Sequence, residues 1–364
     1  ADVIPLAPAA PAAPQQFPCR QCGAQLTFAP GARALQCAHC GCVNEIDAAT
    51  GVSLASDDFV TYLRRLQQVE ETEEHSTVSC ESCGATVDRP AHATALACPF
   101  CGAAIVATAL SRRLIKPKAL LPFGVARPQA EALYDKWVKS LWFAPNALKR
   151  QARLEQRLVG IYVPFWTYDA RTVTQYTGRR GEHYYVTVGS GKNRRTERRT
   201  RWYARSGVVT NRFRNLLVLA SRSLPRKQAD RLEPWGLNEL VPYQDGYLSG
   251  FQAESYQIDL ADGFRIATQL MVEPIRGTIR ADIGGDEQQI LSMQTQYHDV
   301  AFQHILLPVW ISAYRFGDRS FRVLVNARTG EVQGERPWSW VKITLAVVAG
   351  LAVAAVVVAI VSRL

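Results

Sequence analysis

Three catalytic signatures are missing from this chain of 364 residues. There is no GxxxxGK[ST] phosphate cradle. Gly191-Lys192-Asn193 lacks the upstream glycine and the Ser/Thr that would hold Mg²⁺, which excludes an ATP-driven motor of that type. HExxH is absent and no serine sits in GxSxG, so metalloprotease and nucleophile-elbow chemistry have no residues to carry them. Basic residues are missing from the first sixteen positions, ADVIPLAPAAPAAPQQ. These residues do not read as a signal peptide, and a disordered leader, partly polyproline II, is expected. Charge is missing from Ile343 to Val361, a run of 19 residues. At about 1.5 Å per residue this run reaches about 28 Å, the hydrocarbon thickness of a bilayer.

What is present in abundance is cysteine in a repeated pattern. Cys19, Cys22, Cys37 and Cys40 recur 61 positions later as Cys80, Cys83, Cys98 and Cys101, with 14 residues between the two CxxC pairs of each set. Four thiolates at this spacing close a tetrahedron around one Zn²⁺, with Zn–S bonds of about 2.3 Å, so two Zn²⁺ ions are expected. Gly23, Gly41, Gly84 and Gly102 each follow a CxxC, where a left-handed turn would swing N–H groups toward sulfur. His39 and the ninth cysteine, Cys42, align with Phe100 and Ala103 of the second copy and are read as bystanders. Zinc thiolates call for a reducing compartment. Together with Trp338, Trp340 and Lys342 at the near edge of the span, and Arg336 and Lys342 against Arg363, they predict a tail-anchored protein with its bulk in the cytoplasm. Ala346, Gly350 and Ala354 at four-residue spacing would allow span-to-span packing and a homo-oligomer.

The net charge of +10 conceals a partition: −6 over residues 1–110, +20 over 111–232 and −4 over 233–364. The ribbons therefore read as acidic and suited to protein docking, since nucleic acid requires a basic footprint. That footprint lies mid-chain. Strands are expected at Gly160–Tyr168, Thr172–Tyr176, His183–Val188 and Glu197–Arg205, the last two joined by a GSGKN turn. Between Arg179 and Arg205 there are nine Lys/Arg and two Glu, among them Arg179, Arg180, Lys192, Arg194, Arg195, Arg198, Arg199 and Arg201, interleaved with Tyr184, Tyr185, Trp202 and Tyr203. Three readings stand: a solvated strand pair, a surface for anionic lipid headgroups, or a platform for stacking bases.

Helical periodicity marks Phe59, Leu63, Leu66 and Val69 behind an N-cap within Ser56-Asp57-Asp58, Arg127–Trp142 after its proline, a stretch beginning near Pro145, Leu260–Val272, and a separate helix from Arg276 to Ile283. Further strands are expected at His304–Phe316 and Phe321–Val325, with a turn at 326–330. Asp282, Asp286 and Glu287 around Gly284-Gly285 could hold a cation, although a helix-ending loop explains them more simply. VPFWTYDA at 163–170 and LPVWISAY at 307–314 echo one another.

The expected fold is α+β. It comprises a leader (1–16), zinc ribbon 1 (17–47), a linker with an amphipathic helix (48–77), zinc ribbon 2 (78–106), a basic α+β unit (107–232), a second α+β unit (233–337) that could be its duplicate, and a transmembrane helix (341–361). The CxxCG ribbons, RLIKPKALLPFGV, GIYVPFWTYDA, LASRSLPRK, HILLPVWISAYR and LVNARTGEVQGERPW together resemble a bacterial family of membrane-anchored zinc-ribbon proteins of the transcription-factor-IIB type, which often carry the label primosomal protein N′ (replication factor Y), superfamily II helicase. The resemblance implies a non-enzymatic adaptor at the inner membrane, working with a stomatin/flotillin-like (SPFH) scaffold protein. The helicase label rests on the ribbons alone. A membrane-tethered nucleic-acid-binding protein is the alternative.

Overall fold

The computed structural model describes residues 17–46, 54–66, 72–80, 82, 85–88, 95–100, 103–106, 110–145, 158–189, 194–316, 319–336 and 338–361. Leu26–Ala29 (β1), Ala34–Cys37 (β2) and Val43–Glu45 (β3) form a small antiparallel sheet. Asp57–Asp58 (β4) leads into Phe59–Leu66 (α1), where Asp58 Oδ1 accepts the Thr61 N–H at 2.8 Å, the cap expected from sequence. Val69, placed on this helix by periodicity, lies outside the described residues. Thr72–Ser79 (β5), Thr86–Asp88 (β6) and Leu110–Ile115 make a second small sheet, and Ala95–Ala97 pairs with Ala104–Val106.

Everything else is organised by one nine-stranded sheet. Its spine is three long antiparallel strands: Val159–Val188, Arg195–Leu219 and Glu287–Phe316, called here the inner, outer and return strands. The inner strand lies between the other two, paired with the outer strand from Phe165↔Leu219 to Val188↔Arg195 and with the return strand from Val159↔Ile311 to Gly181↔Glu287. Ala119–Leu120 joins the return strand in parallel, and Arg319–Asn326 pairs with its last third. Strands from both expected α+β units thus share one sheet.

The base of this sheet is buried on both faces. Ile161, Val163, Phe165, Ile305, Leu307, Val309 and Ile311 turn to one side, while Tyr162, Leu306 and Trp310 turn to the other, following the period-two alternation of strands. Burial on both sides explains why GIYVPFWTY reads as an unbroken apolar run. The first face is covered by Val78, Cys80, Ala85, Val87, Cys98 and Phe100 of the second cysteine module. The second is covered by Cys19, Leu26, Phe28, Leu35 and Cys37 of the first. The two modules therefore clasp opposite sides of the same strands.

Two expectations of short elements give way to long ones. Helices expected at Leu260–Val272 and Arg276–Ile283 are one helix, Leu260–Ile283, running through Pro274. A mid-helix proline costs about 3 kcal/mol. Here Ala267, Met271, Ile275, Ile279 and Ile283 keep one fully buried stripe in register across it, packed on Tyr168, Tyr176 and Val209 of the spine. Likewise the expected breaks near Arg171 and Gly178–Gly181 are not breaks. At the first, all three strands bulge together. The inner strand shifts register around Asp169, whose Oδ1 accepts the Asn215 N–H at 2.6 Å, and Asn215 and Asp299 adopt φ of 50° and 53°. At the second, glycine lets strands approach closely: a Cβ on Gly178 would lie 2.5 Å from Gln289 O.

The expected helix at Arg127–Trp142 spans Arg127–Ser140 and packs Tyr134 and Val138 against Val323. The stretch expected near Pro145 falls at 146–157, outside the described residues. The structure closes with Trp340–Val361, 22 residues that, apart from the half-buried Lys342 and Ile343, are exposed in the described part and that are long and apolar enough to cross a bilayer.

Candidate metal centre and basic arm

Cys19 and Cys22 precede β1, and Cys37 and Cys40 follow from the end of β2, so the β1–β2 hairpin brings the two pairs together. The four sulfurs lie within 4.8 Å of one another, with Cys19 to Cys40 at 3.6 Å and Cys22 to Cys37 at 3.5 Å. These separations exclude disulfides, whose S–S length is about 2.05 Å. They suit a tetrahedral metal, which sets its ligand sulfurs about 3.8 Å apart. Gly23 and Gly41 have φ of 73° and 75°, as expected of the residue after each pair.

The electrostatics of the thiol set also call for a cation. The Gln21 N–H, then the Cys22 N–H, bring the Cys19 thiol down to about 6, and the Cys40 N–H lowers Cys37. Cys40 moves the other way, up to about 12, and Cys22 also rises. The N–H groups of Cys42 and Ala24 favour their thiolates, but burial and the neighbouring thiols outweigh them. The thiolate is favoured at Cys19 and Cys37 and opposed at Cys22 and Cys40, so a dication is what would allow all four to ionise. His39 and Cys42 stand outside this group; Cys42 Sγ instead lies 3.6 Å from Asn44 Oδ1. These four cysteines could hold one metal ion.

In the second module Cys80 and Cys98 are buried, whereas Cys83 and Cys101 lie outside the described residues. The backbone repeats one closure four times. Cys19 N–H donates to Ala24 O, Cys37 to Cys42 O, Cys80 to Ala85 O and Cys98 to Ala103 O, at 2.7 to 2.9 Å. The acidity ascribed to the ribbons lies mostly between them and is partly spent: Asp57 pairs with Lys118 at 2.6 Å and Asp58 caps α1.

The basic residues sit at the far end of the spine. Beyond Gly181↔Glu287 the return strand stops, and the inner and outer strands continue as a two-stranded arm to Val188↔Arg195. Cross-strand partners share a face, so the basic set divides in two. One face carries Arg180, Arg195, Arg199 and Arg201 with Glu182, Glu197 and Tyr184; the other carries Arg179, Arg198, Tyr185 and Trp202. On the first face Arg180 pairs with Glu182 at 3.0 Å, Arg195 and Arg199 share Glu197, and Arg201 stacks 5.1 Å over Tyr184. Arg179, Arg194 and Arg198 are exposed and make no ion pair among the described residues. Lys192 lies outside the described residues. The acidic trio near Gly284-Gly285 is engaged in holding the arm. Asp282 accepts from Tyr176 Oη, Asp286 from the His183 N–H at 2.6 Å, and Glu287 pairs with His183 Nε2 at 2.7 Å, a bond that holds its carboxyl below the usual range.

The root of the apolar helix lies elsewhere. Trp338 and Trp340 are exposed, and Lys342 Nζ donates to the carbonyls of Ala144 at 2.8 Å and Trp142 at 3.3 Å. That loop ends the Arg127–Ser140 helix, which packs on Arg319–Asn326 near the start of the inner strand. From Ile161 to Val188 the inner strand extends roughly 90 Å at about 3.3 Å per residue, so arm tip and helix root occupy opposite ends of the spine. The sequence offered no signal for this separation, because it depends on strand length and register.

The chain is similar to the uncharacterized protein YdjG of Bacillus subtilis (strain 168), 26% identical over 239 residues, which is 65% of this chain and 68% of that protein. No protein-family model matches the chain, and no solved structure matches it.

Replacing Cys37 by alanine is expected to abolish metal binding at the first module and to loosen its hairpin, while Cys42→Ser leaves metal content unchanged. Metal content per chain by plasma mass spectrometry checks both.

Proposed function

We propose that this protein is a non-enzymatic, zinc-binding adaptor of the bacterial cytoplasmic membrane, held by Trp340–Val361, with its body on the cytoplasmic side. The observation that carries the reading is the arrangement of its parts. An apolar helix roots one end of a long rigid spine, and an exposed basic and aromatic arm ends the other. Between them lie the two cysteine modules, with Cys19 and Cys37 of the first and Cys80 and Cys98 of the second buried against the core. Such a molecule holds a docking element at a set distance from its anchor.

The second cysteine module is read as a second zinc site. Its described knuckles close with the same backbone bonds as the first, and its sequence spacing is identical. A duplicated body is supported by register: the echoing segments meet head to head, with Val163 opposite Leu307 and Tyr162 opposite Pro308. The partner is taken to be a membrane scaffold protein of the stomatin/flotillin (SPFH) type, on the strength of the family resemblance. Its docking element is assigned to the arm in preference to the ribbons, because Asp57 and Asp58 of the acidic linker between the ribbons are committed within the fold. A specific observation favours nucleic acid as the second reading. Tyr185 is 70% exposed and stands opposite the exposed Arg198, an aromatic and a cation placed to stack and to neutralise phosphate.

Two measurements test this. Purified full-length protein should contain two zinc ions per chain, falling to one in Cys80→Ser; a single zinc in the wild type contradicts the second site. Affinity purification from nuclease-treated, detergent-solubilised membranes should recover a membrane scaffold protein, and Tyr185→Ala/Arg194→Ala/Arg198→Ala should lose it. Unchanged capture rejects the arm. Instead, loss of capture on nuclease treatment, with DNA or RNA affinity falling at a log–log salt slope of about −0.7 to −0.9 per phosphate neutralised, would select the second reading.

A further inference from the structure

Two large aromatic side chains outside the apolar helix are exposed where the body meets its root. Trp142 is 81% exposed and Phe143 40% exposed, in the loop that ends the Arg127–Ser140 helix. They are not loose. Leu141 and Ala144 on either side are buried against Tyr134, Val138 and Val323, so the loop is fixed with its two aromatics turned outward.

The same loop is tied to the first turn of the apolar helix by three hydrogen bonds. Ser339 N–H donates to Phe143 O at 2.7 Å, and Lys342 Nζ donates to Ala144 O at 2.8 Å and to Trp142 O at 3.3 Å. Whatever depth Lys342 takes relative to a bilayer, Trp142 and Phe143 take the same depth to within a few ångströms. Lys342 and the neighbouring Trp338 and Trp340 are residue types that settle at headgroup level. An amphipathic indole and a phenyl ring at that level face the interfacial region rather than bulk water.

We infer that Trp142 and Phe143 form a second membrane contact, inserting into the interfacial layer of the bilayer beside the transmembrane helix. The inference rests on the reading of Trp340–Val361 as a membrane span. One anchor helix leaves the body free to swivel about its root. A second contact, rigidly joined to the Arg127–Ser140 helix and through it to the sheet, removes that freedom. It fixes the angle at which the spine leaves the membrane, and hence where the basic arm is presented.

The test uses full-length protein labelled with 5-fluorotryptophan in phospholipid nanodiscs, with and without lipid spin-labelled at the head of the acyl chain. Trp142→Phe and Trp340→Phe assign the two ¹⁹F resonances by their disappearance, and both positions are exposed enough to accept the change without disturbing the core. The expected result is paramagnetic broadening of Trp142 within about twofold of that of Trp340, with the buried Trp166 and Trp310 unaffected. Broadening of Trp340 alone, with Trp142 at the level of the core tryptophans, overturns the second contact and leaves the anchor standing. If neither resonance broadens, the membrane span fails, and the second contact fails with it.

Discussion

The base of the spine has two apolar faces, and each needs a cover. Ile161, Val163 and Ile305 on one side and Tyr162, Leu306 and Trp310 on the other are all at most 5% exposed, because a cysteine module lies over each face together with segments that follow the sheet edge. Modules this small have little core of their own, and metal ligation of the kind proposed for them can contribute on the order of 10 kcal/mol to folding. Their buried residues are largely the ones that touch the sheet: Phe28 and Leu35 in the first, Val78, Val87 and Phe100 in the second. The proposed metal sites would thus stabilise the covers, and the covers make it possible for a sheet with two apolar faces to exist in water.

Past that base the spine changes character in step with what covers it. The coordinated bulge at Asp169, Asn215 and Asp299 marks the level where burial on both faces gives way to burial on one, under the Leu260–Ile283 helix. Where that helix ends, at Gly284, Asp282 of its last turn and Asp286 and Glu287 beyond it fasten Tyr176 and His183, and only the two-stranded arm continues. An isolated hairpin is marginal in water. This one is an extension of a covered sheet, and the cross-strand contact of Arg201 on Tyr184, with Glu197 paired along the outer strand to Arg195 and Arg199, adds local support.

The four cysteines of the first module were legible because metal ligation demands fixed types at fixed spacing, and the apolar helix because a bilayer demands an uncharged run. The capping of α1 by Asp58 and the Arg127–Ser140 helix were likewise local and readable. The long elements were not. Pro274, Gly178 and Gly181 are ordinary breaking signals, and only tertiary contacts override them: a buried stripe across the proline, a return-strand carbonyl too close for a Cβ at Gly178, and packed side chains too close for one at Gly181. The basic hairpin was visible as composition, but its division into a face with internal ion pairs and a face with free arginines depends on register. Trp142 reads in sequence as one more residue on a surface helix. Its place beside Lys342 depends on a contact spanning 200 residues.

The central claim is that metal in the cysteine modules holds the sheet base together. Backbone hydrogen exchange of the full-length protein, read by mass spectrometry before and after metal removal with a chelator, tests it most directly. The account predicts that peptides covering 159–168 and 303–311 lose protection on metal removal along with the cysteine modules, whereas the Leu260–Ile283 helix is affected less. Cysteine modules that exchange freely after chelation while the protection of 159–168 and 303–311 stays unchanged would contradict it.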